Sequence, residues 1–259
     1  MTPPADEAFA VEAAKLFRAG MGTEHVAPLL HGIIRMTRPR RVLEIGLGYT
    51  TLFLLDALAK ARTDQRRDRA LLADATPDRA RRTLLNDRIV DTDYQPRLIG
   101  IDDFSLQGSS VHAVAAAAET LGLAQLLTLM RGDFRTVASQ IGKSDLPFDM
   151  IWYDCGGAED YADFLRLYWP LLSPNYGLLG LHYTYGQLEA GRALFMRPTN
   201  ALNAIKREQG ALGNTARFEV LSLLEPHKLR QGSVTLVRKL PPQDRIRDQP
   251  TASFDLGKG

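Results

Sequence analysis

A single cysteine, Cys155, stands in 259 residues. That excludes an internal disulfide framework and any zinc site built from cysteines, and it fits a reducing cytoplasm. No apolar run approaches the roughly 20 residues that a membrane helix needs. The opening segment, with prolines at 3 and 4 and acids at 6 and 7, lacks a basic stretch followed by an apolar one. The expectation is a soluble, unsecreted, cytoplasmic protein. Charge of one sign is missing too: 32 Lys and Arg against 30 Asp and Glu leave a formal net charge of +2. That balance offers no broad basic field to nucleic acid or to an anionic membrane, so the expected partner is a small molecule. Internal repeats are absent. What the chain does have is an ordinary apolar fraction of 45% and enough length for one sizeable α/β core.

The segment around which the chain is organised runs from Val42 to Thr51, with Glu44, Gly46, Gly48 and Thr50 at alternate positions, and leads into the apolar run Leu52 to Leu58. An aliphatic run closed near an acid, two glycines and then a helical pattern read as strand, turn and helix. Glycines there let backbone approach a ligand with no Cβ in the way, and the helix start offers free N–H groups.

Before this segment, residues 5–19 show near-helical apolar spacing that ends at Gly20-Met21-Gly22. A second helix is expected from Thr23 as cap through Met36, stopping before Pro39. These form an N-terminal lid or flank over residues 1–38, and their apolar faces would serve a homodimer as readily. After a helix over 51–61 comes an insertion, 62–97, with nine arginines, seven aspartates and no lysine. Such mixed charge reads as a solvated face, while the apolar residues at 70–72 and 84–90 allow short helices that would cover a substrate.

Further strands are expected at 97–101, 126–130, 148–154 and 176–183, with helices at 109–121 and 161–171 between them. A helix through Leu202, Ile205 and Ala211 follows, and then a hairpin formed by 218–224 and 232–238. The α/β domain spans 39–240, and 241–259, rich in proline, aspartate and arginine, reads as a loose tail. Aliphatic strands alternating with helices predict a doubly wound, mostly parallel sheet covered on both faces.

Acids stand at the ends of consecutive strands: Glu44, Asp102 or Asp103, Asp133 and Asp154. In a parallel sheet those ends share one edge, where ligands bind at the switch point. The motif Glu-x-Gly-x-Gly-x-Thr differs from the glycine spacing that brings a helix start onto a pyrophosphate, which disfavours a nicotinamide oxidoreductase. With Gly132-Asp133-Phe134 after the third strand and the closing hairpin, the sequence resembles the class I S-adenosylmethionine-dependent methyltransferases over roughly residues 24–240. The resemblance implies a Rossmann-like, seven-stranded sheet with a C-terminal antiparallel hairpin and N-terminal flanking helices. It also implies S-adenosylmethionine as cofactor. Glu44, Gly46 and Gly48, with Tyr49 and Thr50 beside them, would wrap its methionine portion. Asp102, with Asp103 as competitor, would bind the ribose, and Gly132, Asp133 and Phe134 would meet the adenine. Asp154 would face the reactive centre. Two departures stand out: Thr50 replaces a usual glycine, and the gap from Glu44 to Asp102 is long.

Methyl transfer requires alignment of a nucleophile, exclusion of water and uptake of a proton. His182 and Asp154 are the candidates for the proton, and Tyr153, Tyr183 and Tyr185 are aromatic candidates near the sulfonium, where cation–π attraction would act. Strand alternation forbids all of these rings facing one cleft. Catechol-type relatives carry further acids after the fourth and fifth strands for a divalent metal; here only Asp154 and His182 stand there, so no metal is expected. The leading expectation is metal-independent methyl transfer to a small-molecule acceptor. Two alternatives stay open. One is cyclisation of the cofactor to azetidine-2-carboxylate and methylthioadenosine by its own amine, and the other is a non-catalytic regulatory protein that binds the cofactor.

Overall fold

The computed structural model describes residues 4–73, 76, 85–86, 93–104, 109–156, 160–190, 193–198, 217–225, 227–228 and 231–241. Two helices, α1 (Pro4–Leu16) and α2 (Val26–Thr37), precede an alternation of strand and helix. This runs β1 (Arg41–Ile45), α3 (Tyr49–Ala73), β2 (Arg97–Asp102), α4 (Val111–Thr120), β3 (Leu127–Arg131), α5 (Phe134–Val137), β4 (Met150–Tyr153), α6 (Tyr161–Tyr168) and β5 (Leu178–His182). Strands β6 (Tyr185–Ala190) and β7 (Ala193–Pro198) form a small sheet of their own, and β8 (Arg217–Leu224) and β9 (Ser233–Leu240) return to the main one.

The main sheet has the order β3-β2-β1-β4-β5-β9-β8. Strands β1 to β5 pair in parallel, and β9 lies antiparallel between β5 and β8. The winding therefore reverses between β1 and β4, which opens a crevice at the carboxyl ends of those strands. This is the expected seven-stranded, Rossmann-like arrangement with its closing hairpin.

Alternation along the strands divides the core. Leu43, Ile45, Ile151, Tyr153, Leu179 and Leu181 pack with Phe164 and Tyr168 of α6 on one face. Val42, Leu98, Met150 and Trp152 pack with Leu30 and Ile34 of α2 and Leu54, Leu55 and Leu58 of α3 on the other. Because side chains on a strand alternate with period two, Glu44 shares the face of Val42. That places its carboxyl under the start of α3 rather than over the opposite face.

Three sequence expectations change. Helix α2 starts at Val26, with His25 as N-cap and no side-chain cap, because the residues from Thr23 form a turn in which Ala27 N–H bonds the Thr23 carbonyl at 2.9 Å. Helix α3 does not end near residue 61 but runs 25 residues, to Ala73. Its polar extension is pinned to α2: Arg35 donates to Asp64 at 2.6 Å, and Arg38 donates to Gln65 at 2.8 Å and to buried Asp68 at 2.5 Å. The first part of the charged insertion is thus a helix docked through Asp64, Gln65 and Asp68, with Thr63, Arg66 and Arg67 left on its solvated face. The β6–β7 hairpin, paired from Tyr185↔Pro198 to Ala190↔Ala193, was not anticipated. The expected helix through Leu202, Ile205 and Ala211, most of 74–92, and the tail beyond 241 lie outside the described residues.

Candidate active site

The β1–α3 turn is set by backbone sterics. Gly46 has φ +86°, and a Cβ there would stand 2.3 Å from the Asp154 carbonyl oxygen, so only glycine lets β1 and β4 run this close. Gly48 N–H donates to Thr51 Oγ1 at 2.9 Å, as the third helical residue caps the helix start. Asp102, at the end of β2, accepts from Leu47 N–H at 3.0 Å and from Phe104 N–H at 2.8 Å, and Ser110 Oγ donates to the Leu47 carbonyl at 3.0 Å. These bonds tie the glycine turn to the ends of β2 and α4.

Around that turn lies a cavity of about 560 Å³. Gly46, Gly48, Asp102, Asp103, Gly132, Asp133, Phe134 and Asp154 all line it, so the structure brings together most of the residues expected to hold a cofactor. Asp133 caps α5 by accepting from Arg135 N–H at 2.7 Å. Arg135 then stretches over the Phe134 ring, 4.4 Å from its centroid, to pair with Asp160 and, at 3.1 Å, with Asp163. A smaller recess of about 240 Å³ between α1 and α4 is lined by Leu16, three alanines, Thr120 and the Glu12–Lys15 ion pair, whose charges satisfy each other.

Other expected site residues sit elsewhere. Glu44 is fully buried; its Oε1 accepts from Thr50 Oγ1 at 2.6 Å, and its Oε2 has no partner. Burial pushes its acidity down to a pKa of about 8; the Thr50 and Thr51 hydroxyls oppose that shift, and the nearby Asp154 and Asp102 add to it. Glu44 and Thr50 therefore lie bonded to each other behind the turn and are not among the residues that line the cavity. Tyr49 turns toward α1, edge-on to Phe17 at 6.0 Å and tilted on Phe53 at 4.8 Å. Tyr153 is a core residue, 1% exposed, 4.2 Å from the Phe164 ring and 5.7 Å from Phe134. Tyr183, in the left-handed region at φ 56°, and Tyr185 are not among the cavity's lining residues; their N–H groups bond the Ser233 carbonyl and Ser233 Oγ. Candidate catalytic roles for these three tyrosines thus find no support in their positions.

His182 and Asp154 do meet. His182 Nδ1 lies 2.6 Å from Asp154 Oδ1, joining the ends of β5 and β4. Asp154 lines the cavity, whereas His182 is 6% exposed and stands behind it. Burial disfavours the imidazolium, but the Asp154 charge and hydrogen bond outweigh it and raise the histidine's pKa. Nε2 makes no hydrogen bond of good geometry, and the backbones of Gln231 and Gly22 add to the upward shift.

Among the lining residues that the sequence did not single out are Arg135, Asp160, Ser109, Ser110, Gly156 and Arg18. Arg135 directly follows the Gly-Asp-Phe motif, which is the one signal that pointed to it. Cys155 lines the cavity as well, and burial pushes its thiol up to about 12, so it is no thiolate nucleophile.

A sheet in this order, with an acid-lined crevice at its switch point, defines an α/β protein of the class I methyltransferase architecture. The Methyltransferase domain family matches residues 43–182, more than half of the chain, and the chain belongs to that family. Among solved structures, the O-methyltransferase TomG of Streptomyces achromogenes, involved in tomaymycin synthesis and crystallised with SAM, superposes with a TM-score of 0.54 at 18% identity, over 91% of this chain and 90% of that one. An O-methyltransferase from Bacillus cereus in complex with SAH gives 0.53 at 15% identity, covering 90% of each chain. SAH-bound PaMTH1 of Podospora anserina gives 0.52 at 16%, over 92% and 88%. At these identities the likeness establishes the fold. No curated protein sequence matches the chain.

Proposed function

We propose that the chain is an S-adenosylmethionine-dependent O-methyltransferase acting on a hydroxyl of a small molecule, with no metal at the reacting centre. The observation that carries this reading is the charge of the cavity: Asp102, Asp103, Asp133, Asp154 and Asp160 against Arg18 and Arg135. That excess of carboxylate suits a cationic sulfonium and would repel a pyrophosphate. The volume lies in the range of small-ligand pockets, about 300–1,000 Å³.

The residues fit the cofactor. Asp102 still has lone pairs for ribose hydroxyls beyond its two N–H contacts, Gly46 and Gly48 leave room beside the turn, and Phe134 with Asp133 supplies an apolar wall and an acceptor for adenine. When bound, S-adenosylmethionine supplies an electrophilic methyl group. The protein aligns the acceptor oxygen with it and removes one proton as the C–O bond forms. Asp154 lines the cavity and His182 holds it from behind, which supports a role for the pair in taking up that proton.

Metal independence rests on the donor set. Among the described residues directly after β4 and at the end of β5, Asp154 and His182 are already bonded to each other, where a hard divalent ion wants several oxygens. A chelator should leave turnover within about twofold; abolition, restored by magnesium, would overturn this part of the reading. Identity of the reaction is tested by mass analysis of products after incubation with S-adenosylmethionine, alone and with hydroxylated small molecules. S-Adenosylhomocysteine formed only with an acceptor supports the proposal. Methylthioadenosine with an azetidine amino acid, formed from the cofactor alone, would replace it with cyclisation. Tight cofactor binding with neither product would replace it with a regulatory role.

A further inference from the structure

Away from the cavity, the segment before α2 meets the turn between β8 and β9. His25 Nδ1 hydrogen-bonds Glu225 Oε1, and His227 Nε2 stands 3.9 Å from that same oxygen. The two imidazole rings are 5.7 Å apart at 60°, and one ligand atom from each of the three residues lies within 4.8 Å of the others. Both histidines are exposed, while Glu225 is mostly covered.

The carboxylate is fixed in place before any ion arrives. Its Oε2 accepts from Lys228 Nζ at 2.8 Å, and Lys228 also reaches Glu24 at 3.0 Å and the Gly22 carbonyl at 3.3 Å. Glu225 N–H bonds the Gly232 carbonyl at 2.7 Å, which closes the hairpin. Oε1 is thereby directed at the two imidazoles. With neutral histidines, Glu24 and Glu225 outnumber Lys228 by one negative charge, so a cation is electrostatically welcome.

We propose that His25, Glu225 and His227 bind a borderline divalent transition metal, with zinc the leading candidate. Two imidazole nitrogens and one carboxylate oxygen suit zinc, with water completing four-coordination, whereas magnesium and calcium prefer oxygen donors. Ligand atoms around a tetrahedral zinc stand roughly 3.4 Å apart, given bonds of about 2.0–2.2 Å. The wider separations must therefore close, by about an ångström at most, while the short His25–Glu225 contact opens, and rotation of two exposed histidines provides both.

The ion would clasp the α1–α2 connection onto the hairpin turn. Gly22 and Gln231, whose backbones act on His182, belong to these two segments, and a Cβ on Gly22 would stand 2.3 Å from Gln231 Oε1. The clasp thus closes behind the Asp154–His182 pair, on the side away from the cavity, and it is a structural site.

The experiment uses the tag-free full chain, stripped with chelator and titrated with zinc by calorimetry, and with cobalt for visible absorption. One saturable equivalent is expected, with a tetrahedral cobalt spectrum and a rise in Tm. His25→Ala and His227→Ala should each weaken binding at least tenfold while leaving the metal-free Tm unchanged. No saturable binding by the native chain would overturn the proposal. So would binding that survives in the double histidine variant, since the ion would then be held elsewhere.

Discussion

Glu44 gives the sharpest energetic consequence of this fold. Its carboxyl is completely buried beneath the start of α3, with one hydroxyl partner on Oε1 and none on Oε2. Burial raises its pKa from 4.5 in the unfolded chain to about 8. The folded protein therefore binds this proton more tightly than the unfolded chain. Its contribution is fully present below pH 4.5 and is lost as pH rises through 8. At about 1.36 kcal/mol per unit, the 3.5-unit difference amounts to at most ~5 kcal/mol, of which ~3 kcal/mol disappears between pH 5 and 8. For a chain of this size that corresponds to a fall in Tm of about 10 °C. Glu44→Gln cannot ionise, yet its amide oxygen can still accept from Thr50. Thermal unfolding of both proteins without cofactor, from pH 5 to 9 at fixed ionic strength, isolates the effect as the difference between two curves. The native protein should lose ground to the variant steadily up to pH 8. Parallel curves would show that Glu44 is ionised in the folded state, and the reasoning would fail.

Gly46→Ala should lose several kcal/mol of stability, because its Cβ would stand 2.3 Å from the Asp154 carbonyl at a φ of +86°; an unchanged Tm would refute the turn geometry. Asp102→Ala should weaken binding of S-adenosylhomocysteine at least tenfold by calorimetry, since a charged acceptor for two ribose hydroxyls is removed, and unchanged affinity would take Asp102 out of the site. Arg38→Ala should leave the Asp68 carboxylate, whose side chain is 7% exposed, with only a longer 3.4 Å contact from exposed Arg67, and destabilise by about 1–3 kcal/mol in urea. A loss below ~0.5 kcal/mol would show that the α3 extension does not depend on this pair.

The parallel strands were legible because strands covered on both faces read as plain aliphatic runs, as in Val42-Leu43 and Ile151-Trp152. Acids at their ends were legible as positions, but their depths were not. Asp102 and Asp154 line the cavity while Glu44 lies under α3, although all three share one parity, since Gly100 and Trp152, the register partners of Glu44, stand two residues before those aspartates. The difference is depth: Glu44 lies within β1, whereas the aspartates stand at the strand ends, where the crevice opens. Tyr153 has the opposite parity: next to a functional acid in sequence, it points into the aromatic core with Phe164. Nothing local announced β6 and β7, since a hairpin is defined by pairing, and Tyr185 to Pro198 shows no distinct strand pattern. His25, Glu225 and His227 were equally silent, because 200 residues separate the first two and only tertiary folding joins them.

Two departures from the family pattern set this chain apart, and both have structural causes. Threonine at position 50, where a glycine is usual, puts a hydroxyl 2.6 Å from a carboxyl that otherwise would have no partner at all. A buried acid without a hydrogen bond is more costly than a β-branched residue in the first turn of a helix, so the exchange is favourable once Glu44 lies under α3. The long gap before β2 begins as a continuation of α3, whose Asp64, Gln65 and Asp68 are met by Arg35 and Arg38 from α2. Neither change touches the groups that face the cavity. Under the proposed function the chemistry lies instead at the ends of β4 and β5, where His182 is bonded to Asp154 at 2.6 Å and the pair is placed to take up the acceptor's proton without an ion.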